Sequence, residues 1–197
     1  ISEETGQLFN STKIANIYKT VTKNNIDKET VEQYINYFID SFIIKETTRF
    51  DIKGNEEIGA LRKYYFVDNG LRNARINFAF EDEGQMLENM VYNELTYNGY
   101  SVNVGTFDKN EKDKNGKSIR KTYEIDFIAK KNSKKYYIQV CADLSSKEVK
   151  NREIRPFKAI NDSFQKIIVL NKPIEESYDE NGIVIIGISD FLLKFIK

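Results

Sequence analysis

Five polar side chains set into apolar stretches hold the chemistry open to this chain: Glu88, Glu124, Asp126, Gln139 and Cys141. Four of them lie on two neighbouring stretches of strand character, Tyr123 to Lys130 and Tyr136 to Ala142. Side chains alternate faces along a strand. Ile125, Phe127 and Ala129 are therefore expected on one face and Glu124 and Asp126 on the other. In the second stretch Ile138 and Val140 share a face, with Gln139 and Cys141 opposite. An acid in one apolar strand beside a polar pair in the next is a metal-site layout, and oxygen ligands would suit a hard cation, magnesium or manganese. A working site would want a carboxylate and a lysine where Gln139 and Cys141 stand. The Gln139 amide oxygen could ligate an ion but brings no charge, and the Cys141 thiol replaces neither the charge nor the length of a lysine.

Composition narrows the alternatives. The chain has no histidine, which removes imidazole acid–base chemistry, histidine triads and histidine-ligated zinc. A single cysteine excludes an internal disulfide and fits a reducing compartment. The 30 basic residues equal the 30 acidic ones, so no global field draws in nucleic acid or membrane. No apolar run approaches the roughly 20 residues that span a bilayer, so no membrane partner is expected. The chain opens at Ile1 without a signal pattern, and the expectation is a cytoplasmic protein or a piece of a longer one.

The elements that must position these residues follow from periodicity. Glu83 to Asn98 reads as a helix with the stripe Leu87, Met90, Val91 and Leu95, Glu88 at its border and Gly99 ending it. Tyr100 to Phe107 reads as a strand, and Asn115–Gly116 as a hairpin turn within a polar run. Ser145 or Ser146 caps a helix to about Arg155, with Arg152 and Arg155 on one side and a kink or restart at Pro156. Gln165 to Leu170 and Ile183 to Ile188 read as strands, and Ser189 or Asp190 caps a last helix. The fold class is α/β, α+β overall: a mixed central sheet flanked by helices.

Upstream, Ser11 or Thr12 caps a helix with the stripe Ile14, Ile17, Tyr18 and Val21. Asp27 caps a second with Val31, Tyr34, Ile35, Phe38 and Phe42. Ile43 to Asp51 and Leu61 to Val67 then form a hairpin, an order that resembles a winged helix. The second helix exposes Lys28, Glu29, Glu32, Gln33, Asn36, Tyr37 and Asp40, three carboxylates that phosphates would repel. Protein contact is therefore expected of this part rather than duplex readout. The expected division is residues 1–75, winged-helix-like, and 76–197, carrying the strands above. Between residues 108 and 135 there are 10 basic and 5 acidic side chains, the clearest basic concentration in the chain.

Glu88, Asp126 and Gln139–Val140–Cys141 in this element order resemble the PD-(D/E)XK nuclease superfamily. More narrowly the chain resembles the C-terminal domain of unknown function of prokaryotic AAA-type ATPases, on the stretches Lys63 to Asn73, Gly84 to Leu95, Glu124 to Phe127, Tyr137 to Cys141 and Arg152 to Arg155. The resemblance implies an ATPase domain upstream in the same polypeptide. It also implies metal ligands at Glu88 and Asp126, a vestigial catalytic set of Glu88, Asp126 and Gln139, and Cys141 in the lysine position. Glu124 could supply a second carboxylate and Lys130 a displaced lysine. No phosphate-binding loop is present, so ATP binding by this chain is not expected. The expected function is a nuclease-like domain that serves in binding or assembly, on DNA or in a homo-oligomer. The alternatives are an active metal-dependent DNase using magnesium or manganese, and a DNA-binding regulator.

Overall fold

The computed structural model describes residues 5–79, 82–112 and 116–196. Asn115, half of the expected turn, lies outside them. Helices α1 (Ser11–Thr22) and α2 (Lys28–Asp40) precede a hairpin of β1 (Ile44–Asp51) and β2 (Glu56–Phe66). Then come α3 (Asn69–Arg75), α4 (Glu83–Tyr97), β3 (Ser101–Lys112), β4 (Ser118–Lys131), β5 (Lys134–Cys141) and α5 (Lys147–Lys158). The chain closes with β6 (Gln165–Leu170), the two-residue β7 (Ser177–Tyr178), β8 (Val184–Gly187), α6 (Ile188–Asp190) and a π-helical turn, Phe191–Phe195.

Among the described residues eight strands form one mixed sheet in the order β2-β1-β3-β4-β5-β6-β8-β7. The β1–β2 hairpin joins the later strands directly, because Arg49, Phe50 and Asp51 pair in parallel with Val104, Gly105 and Thr106. The sheet thus draws strands from both sides of residue 75, the expected boundary.

Local chemistry sets the helix starts. Asp27, Asp68, Asp82 and Ser146 each accept a backbone N–H of the first turn. At α1 the cap is Asn10, whose side chain accepts from Lys13 N at 2.7 Å, instead of Ser11 or Thr12. Pro156 sits in the last turn of α5, where the helix continues only to Lys158, so no second helix restarts after it. The final helix starts after Gly187 without a side-chain cap, so neither Ser189 nor Asp190 plays that part.

Two apolar cores sandwich the sheet. On one side Val91, Tyr92 and Leu95 of α4 pack on Tyr65, Phe127, Ala129 and Ile138. On the other, Ile154 and Phe157 of α5 pack on Ile125, Ile128, Tyr137 and Cys141. Ile125 and Phe127 therefore face opposite ways, contrary to simple alternation. Asn103 pairs with Ile128 and Gly105 with Ile125, so β4 carries one extra residue, a bulge, beside Asp126. Gly105 permits it: a β-carbon there would lie 3.0 Å from Ile125 Cβ. A third core, under α1 and α2, holds Phe9, Val31, Ile35, Ile44, Tyr64 and Phe66.

Candidate functional site: a lysine among carboxylates

Strand β2 alternates Tyr64 and Phe66 toward α1 and α2, and Lys63 and Tyr65 toward α4. Tyr65 is fully buried, stacked on Tyr92 with ring centroids 4.2 Å apart. Glu88 lies one helical turn before Tyr92, on the same side of α4. The Tyr65 hydroxyl consequently donates to Glu88 Oε1 at 2.7 Å. Lys63 Nζ donates to the same oxygen at 3.1 Å and stands 2.8 Å from Glu124 Oε1. β2 and β4 are separated by β1 and β3 in the sheet, so this contact reaches across two intervening strands. The β1–β2 ladder is itself interrupted at Gly59 to Leu61, where Thr48 pairs with Arg62 but Arg49 with Ile58.

Asp126 occupies the point where β4 and β5 part. Their ladder runs up to Phe127 paired with Ile138. Past it, the Asp126 carboxylate accepts the Val140 N–H at 2.8 Å, and the Asp126 N–H donates to Gln139 Oε1 at 3.2 Å. Burial, reinforced by the Glu88 charge, pushes the Asp126 carboxyl well above its ordinary value, although Lys63 and the Val140 N–H pull the other way. Burial would strip the proton from Lys63. The charges of Glu88, Glu124 and Asp126 outweigh burial and hold its pKa above the ordinary value. Tyr65 is raised by burial and then by Glu88. The group is thus a buried ammonium, only 4% exposed at its side chain, serving acids on two elements.

Glu88 and Glu124 meet on the Lys63 ammonium, and Asp126 feels the Glu88 and Lys63 charges. The other expected residues are placed differently. Gln139 gives its amide oxygen to the Asp126 backbone and lines a cleft of about 460 Å³ with Tyr123, Glu124, Arg152, Glu153 and Arg155. Cys141 packs in the α5-side core, its thiol donating to Asp143 O at 3.0 Å and raised by burial. Lys130 is displaced from the acids, its ammonium 3.7 Å from the centre of the Phe50 ring. Lys63 and Tyr65 are the residues that sequence reading did not assign to the site. The signal was there: a lysine two residues before a tyrosine, on the same side of a strand.

A divalent ion does not fit this arrangement. Among the described residues no three carboxylates or thiols converge with metal-binding spacing. Glu88 Oε1 already takes two donors, and the Lys63 ammonium stands between Glu88 and Glu124 where a cation would sit. Gly6 closes the outer side. Its N–H donates to Tyr64 O, and at φ +77° any β-carbon would come within 3.0 Å of Glu88 Oε1.

Among the described residues no helix is long and apolar enough to cross a membrane. Over 151 residues the chain is 33% identical to the uncharacterized protein MJ1544 of Methanocaldococcus jannaschii, covering 76% of this chain and 31% of that protein. It is 31% identical over 196 residues to an uncharacterized protein of Haemophilus influenzae, covering 98% of this chain and 44% of the relative. The chain therefore spans less than half the length of either curated relative. No solved structure matches it. Residues 1–82 match a domain of unknown function, DUF8612, and the chain as a whole is similar to longer, uncharacterized proteins of a bacterium and an archaeon.

Proposed function

We propose that this chain is the C-terminal part of an AAA-type ATPase, a winged-helix-like region followed by a nuclease-like region whose site is non-catalytic, and that it serves in binding or assembly. The observation that carries this reading is the apolar surface of α1 and α2. Their stripes predict buried faces, yet Ile17, Tyr18, Tyr34 and Phe38 are exposed, Val21 by 74% and Phe42 by 80%, while Tyr37 is exposed as expected. Exposed aromatic and aliphatic side chains on two adjoining helices mark a contact surface. The greater length of both relatives leaves room for a covering domain in the same polypeptide. Lys63 in the carboxylate cluster supports the absence of hydrolysis, because metal-assisted attack on phosphate needs the position it fills.

The test is association with the ATPase region of the same polypeptide, produced separately. Stable binding lost on Tyr18→Asp with Phe38→Asp supports the reading, and no association in the unaltered chain rejects it. Self-association lost with the same pair would assign the surface to a homo-oligomer instead. Magnesium- or manganese-dependent DNA cleavage abolished by Asp126→Ala would favour the DNase alternative.

One observation favours a DNA-binding role. At the β4–β5 tip Lys130 pairs directly with Lys135 and Lys131 with Lys134. Like charges opposite one another are destabilising, and a phosphate backbone would relieve them. Affinity for DNA that falls steeply with salt supports this role; no binding at low salt removes it.

A further inference from the structure

We infer that Lys130 and Lys135 form a phosphate-binding site on one face of the β4–β5 tip, which grips the backbone of duplex DNA without reading its sequence. The inference deepens the DNA-binding role above and rests on it. Strand alternation divides the four tip lysines between the two faces of the sheet. Lys130 and Lys135, direct partners across the ladder, lie on the α5 side, that of Ile128 and Tyr137; Lys131 and Lys134 lie on the α4 side, that of Ala129 and Tyr136. The Lys130 and Lys135 ammoniums share the Phe50 ring, at 3.7 and 5.7 Å from its centre. Lys135 also stands 4.6 Å from the centre of Phe164 and 4.9 Å from that of Tyr137. The rings hold the cations in place but bring no net charge to cancel them. Among the described residues no carboxylate lies within ion-pair distance of either ammonium. Asp162, whose charge reaches Lys135, is committed elsewhere: it accepts the Tyr137 hydroxyl at 2.6 Å and the Phe164 N–H at 3.2 Å, and pairs with Lys166 at 3.5 Å. Burial and the Lys130 charge hold Lys135 below its ordinary pKa, although Asp162 pulls the other way. Two positive charges are thus fixed side by side without a counter-charge, and phosphate oxygens supply one. Such contacts position a duplex but carry no base information.

The test is fluorescence anisotropy of a labelled duplex of about 20 base pairs, titrated with the 197-residue chain at several salt concentrations. Lys130→Gln with Lys135→Gln should weaken binding at low salt by at least about tenfold, and flatten the slope of log affinity against log salt by about 1.8. Lys131→Gln with Lys134→Gln removes the same charge from the other face and should weaken binding by less than about threefold. Asp162→Asn removes the opposing charge and frees Lys166, so it should tighten binding by about twofold to fivefold. Lys130→Arg with Lys135→Arg keeps both charges and should bind like the unaltered chain. A second duplex of unrelated sequence should bind equally well. Equal losses from the two glutamine pairs, loss in the arginine pair, or discrimination between the duplexes would overturn the inference and leave the DNA-binding role standing. Displacement of the duplex by inorganic tripolyphosphate at equal phosphate concentration would assign the site to a small phosphate ligand instead. Absence of binding by the unaltered chain at low salt would remove the role and the inference together.

Discussion

Helix α4 and the α1–α2 pair carry similar apolar stripes but dispose of them in opposite ways. α4 presses Leu87, Val91 and Leu95 into the sheet and draws a salt-bridged carboxylate, Glu88, in with them. It also fastens the end of β2, since Asn89 and Asn93 each donate to Phe66 O at 2.8 Å. α1 buries no residue completely and α2 only Val31 and Ile35. Apolar periodicity therefore specifies a helix and its wet and dry sides, but not what stands against the dry side. On α4 that is the sheet, and charge enters the core because a lysine meets it there. On α1 and α2 much of the dry side faces solvent.

The sharpest way to break the contrast is at the buried charge. Lys63→Met leaves Glu88 without its cation inside the fold, and the expected loss of stability is about 3–5 kcal/mol by chemical denaturation. A loss under about 1 kcal/mol would mean that the cluster is solvated like a surface pair.

Leu95 and Val21 compare the two helices directly. Leu95→Ala opens a cavity in the α4 core and should cost about 2–5 kcal/mol. Val21→Ser on the exposed stripe should stay within about 0.5 kcal/mol in this chain measured alone. Equal costs would show that the α1–α2 stripe is covered in solution.

Tyr65→Phe removes one donor from Glu88 and keeps the stacking on Tyr92. An expected loss of about 1–2 kcal/mol, read from the denaturation midpoint, isolates the hydroxyl from the ring.

The smallest effect is a matter of pH. Because the folded chain holds the Asp126 proton more tightly than the unfolded chain, Asp126 contributes stability fully below the unfolded carboxyl value of about 3.9. That contribution fades as pH rises through the raised folded value. Asp126→Asn keeps an acceptor for the Val140 N–H, so the difference in stability between variant and unaltered chain should shift in the variant's favour as pH rises. A difference independent of pH would mean that Asp126 titrates normally.

Much of the fold was legible in local chemistry. Asp27 announced α2 by capping it, Gly99 marked the end of α4 with φ of +80°, and the bounds of β6 follow its apolar run. What sequence concealed was non-local. No period reveals the extra residue in β4 that sends Ile125 and Phe127 to opposite faces. Nor does any local pattern show that β1 pairs in parallel with β3, so that Lys63, 61 residues before Glu124, can reach it. Glu88 and Asp126 were conspicuous as charges in apolar company, but their cation was not, because lysine at a strand position ordinarily means solvent. Met90 shows the reverse error: its spacing suits the α4 stripe, yet it is 41% exposed while Asn89 is fully buried.

The backbone of Phe9 exchanges both hydrogen bonds with Arg62, and Gly6 adds one to Tyr64, so the outer rim of β2 is already sealed over those residues. At the far border β7 is only two residues long. Among the described residues, the sealed end of β2 and the short β7 leave less free ladder to an incoming chain, which disfavours recruitment by β-augmentation there. Side chains on the helices and hairpin tips are then the expected means of association, where a single charged substitution can switch the contact off.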